Sequence, residues 1–213
     1  MSTELEFVTI EASLRELGWR FDEVLPAGAL GTLEDFTGEV DFRTALFSPR
    51  RRVGLPSFSI ATTSLALEDL DGWDDDLLDD IDTLSAAREQ VEVLLDARDW
   101  RLPSEDELEM ACGGGLFPWG EQLPEGVPYG SGTSFQGHLQ PNEHGLLLNG
   151  DPYRTELVTG HLKLGDGGEA LCGGYPWPLA WMSFSPAFRV PIETVEDVLP
   201  EYLESVRIRP VRK

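Results

Sequence analysis

Basic side chains are scarce in this sequence: 16 lysines and arginines stand against 39 aspartates and glutamates in 213 residues, a formal net charge of −23. A nucleic-acid-binding surface needs a basic footprint to neutralise phosphates, so nucleic-acid binding is excluded. An anionic membrane surface would repel the same charge. The partner class that this charge favours is a protein with a basic patch. The alternative is that the acidic side chains serve solubility alone.

Cysteine and long apolar runs are also scarce. Cys112 and Cys172 are too few for a secreted domain stapled by disulfides, and we expect two free thiols rather than one bridge. No stretch approaches the roughly 18 apolar residues of a membrane-spanning helix. The first residues have neither the basic region nor the apolar core of a secretion signal. These absences predict a cytoplasmic protein that binds no membrane.

Hydrophobic periodicity predicts two helices. Apolar residues recur at helical spacing over about 84–98, with charged residues on the opposite side. A second helix is expected over about 104–112. Ser104 and Glu107 are spaced as a capping box at its start, and three glycines from Gly113 end it.

Short strands complete the pattern. Strands are expected at Phe7–Ile10, over residues 53–60 with a break at Pro56, and over 206–211, where apolar and basic residues alternate. The acidic segment 68–82 is expected to be an exposed loop. No repeat, linker or change of composition interrupts the chain. The sequence therefore predicts one α+β domain over residues 1–213.

One segment carries a specific resemblance. Residues 100–120 read Trp-Arg-Leu-Pro-Ser-Glu-Asp-Glu-Leu-Glu-Met-Ala-Cys-Gly-Gly-Gly-Leu-Phe-Pro-Trp-Gly. They resemble the signature of the formylglycine-generating enzyme (sulfatase-modifying factor) family, in which Arg-Leu-Pro-Thr-Glu-Ala-Glu-Trp-Glu-Tyr-Ala precedes a glycine-rich turn and Pro-Trp-Gly. The resemblance implies the C-type-lectin-like α+β fold of that family. Weaker matches follow the family's order at 7–10, 52–60, 142–146, 171–177 and 206–209.

The resemblance also implies an oxidase site, for which this chain lacks the ligands. In the family, two cysteines just after the Gly-Gly-x-Trp motif hold a copper ion, and soft thiolates are the ligands that Cu(I) selects. The corresponding segment 177–189 contains no cysteine. Cys172 lies before the two glycines, and Cys112 lies on the signature helix. The oxidase activity is therefore not carried over, and we expect no cofactor.

The family's calcium-associated loop is matched only in part. It reads about Gly-Leu-x-Asp-x-x-Gly-Asn-x-x-Glu-Trp, but here Leu148 stands at the first Asp position and Arg154 at the Glu position. Calcium requires several oxygen ligands, and Asp151 is the candidate that remains. We therefore expect no bound metal, and a loop held by Arg154 with Asp151 or Glu156.

Residues suited to other chemistry are few. A cysteine acts as a nucleophile when a histidine serves as its base, which makes Cys172 and His144 the candidate catalytic residues of a divergent, oxidase-like enzyme. The three histidines, His138, His144 and His161, have no metal-binding spacing. No motif in the sequence completes a catalytic centre.

The function that these observations favour is a binding or interaction module, a pseudoenzyme on a scaffold that has lost its metal ligands. Loop-rich folds tolerate surface variation while the core stays fixed, and aromatic residues and Arg are common interface anchors. The alternative for the aromatic residues is that they pack the loops. A role within a bacterial conflict or signalling system also stays open. The expected binding surface is framed by Tyr175, Trp177, Trp181, Phe184 and Arg189.

Overall fold

The computed structural model describes residues 5–23, 25, 42–73, 83–126, 135–148, 153–165, 177–190 and 202–213. The α-helices in these ranges are α1 (Phe42–Leu46), α2 (Leu84–Asp96), α3 (Glu105–Ala111) and α4 (Trp177–Met182). The strands are β1 (Phe7–Ile10), β2 (Ser13–Leu17), β3 (Arg51–Leu55), β4 (Phe58–Ala61), β5 (Leu65–Ala66), β6 (Trp100–Arg101), β7 (Thr155–Val158), β8 (His161–Lys163), β9 (Val206–Ile208) and β10 (Val211–Arg212).

The described strands form three small sheets, with the strand orders β1-β4-β10-β6, β2-β3 and β5-β9-β7-β8. Every pairing between them is antiparallel except that of β7 with β9. Helices thus accompany mainly antiparallel sheets, and the predicted α+β class is confirmed. Among the described residues, no helix has the length and apolar character needed to span a membrane.

The strand predictions are confirmed at the start of the chain and need one correction at its end. β1 has the predicted bounds and pairs with β4, so that Val8 lies opposite Ile60. Pro56 separates β3 from β4 as expected, because proline has no N–H for the ladder. The single strand expected over 206–211 is instead two, because the chain leaves one sheet after β9 and joins another at β10, on either side of Pro210.

The helix predictions are confirmed within one or two residues. α2 begins at its N-cap Thr83, whose hydroxyl accepts the Ala86 N–H, and it buries Ala87, Val91 and Leu95. α3 begins with the predicted capping box. The Glu107 N–H donates to Ser104 Oγ at 3.2 Å, and the Ser104 N–H donates to Glu107 Oε2 at 2.8 Å. Both helices are therefore started by hydroxyl caps that the local sequence encodes.

Two apolar clusters make up the described core. The smaller one packs the inner face of α3, including Leu108 and Cys112, against β1 and β4. The larger one lies beneath α2 and the segment around α4, and large aromatic rings dominate it. Ring centroids 5.4 Å apart join Phe21 to Phe117 in an edge-on contact, a favoured aromatic arrangement. The fully buried aromatic residues of the larger cluster are Phe21, Phe47, Phe117, Trp181 and Phe184.

Candidate binding site

Two of the aromatic residues expected at the binding surface are core residues instead. Trp181 and Phe184 have 0% of their surface exposed, so the expectation that they are surface anchors is wrong and the packing alternative holds for them. The reason is a pair of contacts with distant residues. The Trp181 ring packs edge-on against Trp119 with centroids 5.8 Å apart, and its Nε1 donates to the Gly126 carbonyl at 2.6 Å.

Some of the predicted site residues lie outside the described residues. They are Asp151, Cys172, Tyr175 and the side chain of Trp177.

Arg189, the third described member of that surface, forms an ion pair with Glu105 of α3. Its Nε and Nη2 donate to the two carboxylate oxygens of Glu105 at 2.8 and 2.7 Å. Burial disfavours the charged form of Glu105. Hydrogen bonds from Arg189 and Lys163 outweigh that effect and lower the Glu105 pKa to about 2. Arg189 therefore helps to hold α3 in place.

The rest of α3 is held by the same kind of contact. The fully buried Lys163 ammonium lies between Glu105 Oε1 at 2.7 Å and Glu109 Oε1 at 3.0 Å. Ser48 Oγ donates to Glu109 at 2.6 Å. Arg51 donates from Nε to Asp106 at 2.8 Å. Removing one partner of a buried pair leaves an uncompensated charge, so the pairs of Lys163 with Glu105 and Glu109 are structural anchors.

The nucleophile and base candidates are not assembled in the described residues. Cys112 is a free thiol, as expected, and burial raises its pKa, which keeps it protonated. His144 lies in a turn where its backbone N–H donates to Asn142 Oδ1 at 3.0 Å. Its ring Nε2 is 3.6 Å from Glu143 Oε1. Cys172, the other half of the candidate pair, is not described.

The metal candidates can be located only in part. Leu148 is buried in the core, which explains the apolar residue at the first Asp position of the family's calcium loop. Both oxygens of Glu156 accept hydrogen bonds from Arg209. His138 packs among aromatic rings, 5.7 Å from Trp181, and burial lowers its pKa. Among the described residues, no three side chains of His, Cys, Asp or Glu lie together as a metal site.

A cavity of about 500 Å³ opens where the signature segment leaves α3. We call it the glycine-turn cavity. Its floor is the turn Gly113–Gly115, and Trp119 forms a wall. Glu121 and Glu143, whose side chains are 52% and 60% exposed, stand at its rim. Such concave sites with a few placed polar groups are the usual form of a binding pocket.

Two arginines from the N-terminal part of the chain clamp the turn. Arg15 Nη1 donates to the Gly113 carbonyl and lies 3.6 Å from Glu143 Oε1. Arg20 donates from Nη1 to the Gly114 carbonyl at 3.1 Å and from Nη2 to Glu121 Oε1 at 3.1 Å. Each guanidinium therefore joins one carbonyl of the floor to one carboxylate of the rim, which fixes both carboxylates beside the cavity.

Glycine is required at the floor for two reasons. Gly113 and Gly114 have φ angles of +98° and +68°, a region that side-chain-bearing residues rarely adopt. A Cβ on Gly114 would also lie 3.1 Å from Arg15 Cδ, and a Cβ on Gly113 would lie 2.9 Å from Glu143 Oε1. The glycine run therefore ends the helix and also makes room for the clamp.

The wall of the cavity is held by ring contacts and a hydrogen bond. The Trp119 indole stacks on Phe117 with ring centroids 4.7 Å apart and an interplanar angle of 5°, and its Nε1 donates to the Gln122 carbonyl at 2.9 Å. Because Trp181 packs edge-on beneath Trp119, the C-terminal aromatic residues support the wall from inside. Sequence reasoning missed the roles of Arg15, Arg20 and Trp119. The Pro-Trp-Gly end of the signature was the available signal for Trp119.

No protein-family model matches this chain, and no curated protein matches it.

Proposed function

We propose that this chain is a binding module that receives a basic side chain of a protein partner in the glycine-turn cavity. The observation that carries the proposal is the pairing of an aromatic wall with two carboxylates at the rim. Among the described lining residues, Glu121 and Glu143 are the ionisable groups besides the buried Cys112 thiol. Their charge has the same sign as the net charge of −23, which steers a basic partner toward this protein.

A lysine or arginine side chain matches both parts of the cavity. Its methylene stem packs on apolar surface while its charged head stays polar, and Trp119 supplies such a surface. The head then reaches the carboxylates of Glu121 or Glu143. Arg15 and Arg20 hold these carboxylates in partly exposed ion pairs, which contribute little on their own. A partner's cation can therefore share them at small cost.

The state of the signature helix supports binding rather than catalysis. Glu105, Glu107 and Glu109 each pair with a cation from another part of the chain. A general acid or base needs a group that exchanges protons near the working pH, and a carboxyl with a pKa of about 2 does not. The protonated Cys112 thiol is likewise a poor nucleophile.

The scaffold is proposed to be the C-type-lectin-like fold of the formylglycine-generating enzyme family. Three features support this: the capping box of α3, the glycine turn that follows it, and the order of the short strands along the chain. The partner surface proposed on this scaffold differs from the first expectation in one respect. The described C-terminal aromatic residues form its support, and the glycine-turn cavity forms its contact surface.

The proposal is tested by titrating the protein with the blocked peptide N-acetyl-Gly-Arg-Gly-amide while its tryptophan indole N–H signals are followed by NMR. We expect the Trp119 signal to move, and the double variant E121Q/E143Q to bind about fivefold more weakly because two ion-pairing groups are lost. The matched control is E11Q/E125Q, which removes two exposed carboxylates that do not line the cavity. At physiological ionic strength it should change affinity by less than about twofold.

Two results contradict the proposal. One is equal binding of N-acetyl-Gly-Leu-Gly-amide, which carries no charge. The other is an equal loss of affinity in E121Q/E143Q and in the control, because the effect would then come from net charge and not from the cavity.

A further inference from the structure

A second cavity, of about 250 Å³, lies between the start of α2 and the β7–β8 hairpin. None of its lining residues lines the glycine-turn cavity. It stands out in so acidic a chain because its described lining includes no carboxylate. Its described walls are formed by Thr83–Ser85, Arg88, Leu157, Gly160 and His161.

Arg88 brings an unused hydrogen-bond donor to this cavity. Its Nε is shielded from solvent and has no hydrogen-bond partner. Glu92 Oε1 is 3.7 Å from it, beyond hydrogen-bond distance. Its Nη2 makes one long hydrogen bond, 3.4 Å, to Ser85 Oγ. An orphaned donor on a charged group is costly, so an oxygen that accepted from Arg88 would be strongly favoured.

His161 and Ser85 add neutral donors next to Arg88. His161 begins β8 directly after Gly160, whose φ of +91° turns the chain back from β7. Burial and the nearby Arg189 lower the pKa of His161, so the ring is neutral at pH 7 and carries one N–H. Ser85 offers a hydroxyl that rotates to suit a ligand. Leu84 and the buried Leu157 supply the apolar part of the wall.

We propose that this cavity binds a small organic anion, a carboxylate or a phosphate monoester, whose oxygens accept from Arg88, Ser85 and His161. The apolar part of the ligand lies against Leu84 and Leu157. The volume admits a group of the size of a substituted benzene ring with its anionic head. This site is independent of the partner surface at the glycine-turn cavity, so either can fail without the other.

The test titrates the full chain with phenyl phosphate, benzoate and uncharged benzyl alcohol, and follows backbone amide signals by NMR. We expect phenyl phosphate, benzoate or both to shift the amides of residues 83–88 and 160–161, and benzyl alcohol to leave them unchanged. In R88Q, affinity for the anion should fall about tenfold or more, because a charge-assisted hydrogen bond is lost. An unchanged amide spectrum away from the cavity shows that R88Q is folded.

Glu92 provides an opposing variant. E92Q removes the carboxylate that competes for Arg88, so the anion should bind about two- to fivefold more tightly. E89Q is the matched control, because it removes the same charge from an exposed position of α2 that does not line the cavity.

Four results would overturn the proposal. Two concern the ligands: neither anion binds, or benzyl alcohol binds as well as the anions. Two concern the variants: R88Q binds as the unsubstituted protein does, or E89Q and E92Q have the same effect.

Discussion

Arg209 and Glu156 form a buried ion pair with two hydrogen bonds. Arg209 Nε donates to Glu156 Oε2 at 2.9 Å, and Nη2 donates to Oε1 at 2.6 Å. The same guanidinium also donates to the carbonyls of Ala61 and Leu147 at 2.9 and 2.8 Å. One side chain thus connects β7, the end of β4 and the loop before residue 148. Two of the three described sheets, those that contain β4 and β7, are therefore joined here by hydrogen bonds.

Replacing Arg209 with methionine is expected to lower the free energy of unfolding by about 3–5 kcal/mol, because Glu156 becomes an unpaired buried charge. The double variant E156L/R209M should regain part of that loss, since it leaves no buried charge, although the two carbonyls stay without a donor. Urea unfolding followed by circular dichroism measures both variants. Equal stability of R209M and the unsubstituted protein would contradict the structural role of the pair.

The capping box of α3 gives a second prediction. S104A removes the hydroxyl that accepts the Glu107 N–H, and such losses cost about 1 kcal/mol. The matched control is S57A, at an exposed turn position between β3 and β4, where the change should stay within about 0.5 kcal/mol. The two urea midpoints are compared at one pH. Coinciding midpoints would mean that α3 does not depend on its cap.

The loss of stability at acid pH gives a prediction for Glu105. Its pKa is lowered in the folded state from 4.5 to about 2, so its stabilising contribution is fully present above pH 4.5 and is lost as the pH falls toward 2. We therefore expect E105Q to be less stable than the unsubstituted protein at pH 6, with a difference that shrinks between pH 4.5 and pH 2. For the exposed Glu68, E68Q should show a small difference throughout. Unfolding midpoints measured at several pH values test this, and a difference that is constant with pH would contradict it.

Local features of the fold could be predicted from the sequence. The cap of α3 and the break at Pro56 depend on residues within a few positions of one another, and the sequence predicted both. The Thr83 cap of α2 is equally local, but it was not predicted. Apolar periodicity likewise marked the buried face of α2, because a helix repeats its face at a fixed spacing.

The site depended on contacts between distant residues, which no local pattern encodes. Arg51 lies in an arginine run, yet it binds Asp106, 55 positions away. Trp181 and Phe184 were expected as surface anchors, and contacts with distant rings such as that of Trp119 place them in the core instead. The clamp formed by Arg15 and Arg20 was missed for the same reason, because its partners are about one hundred positions further along the chain.

The floor of the glycine-turn cavity gives the last prediction. In G114A, a side chain would be forced to a φ of +68° and its Cβ would lie 3.1 Å from Arg15 Cδ. A left-handed conformation costs a non-glycine residue about 1–2 kcal/mol, and the crowding moves Arg15 away from the Gly113 carbonyl. We expect lower stability together with weaker binding of N-acetyl-Gly-Arg-Gly-amide.

The control for this variant is G54A. Gly54 lies in β3 with no positive φ, and its Cβ would make an ordinary contact of 3.4 Å with Leu14 Cδ1. An alanine there restricts the unfolded chain without straining the folded one, so stability should be unchanged or rise by up to about 1 kcal/mol. Urea unfolding and the peptide titration are run on both variants. If G114A lost stability but bound the peptide as tightly as G54A does, the clamp would serve the fold and not the cavity.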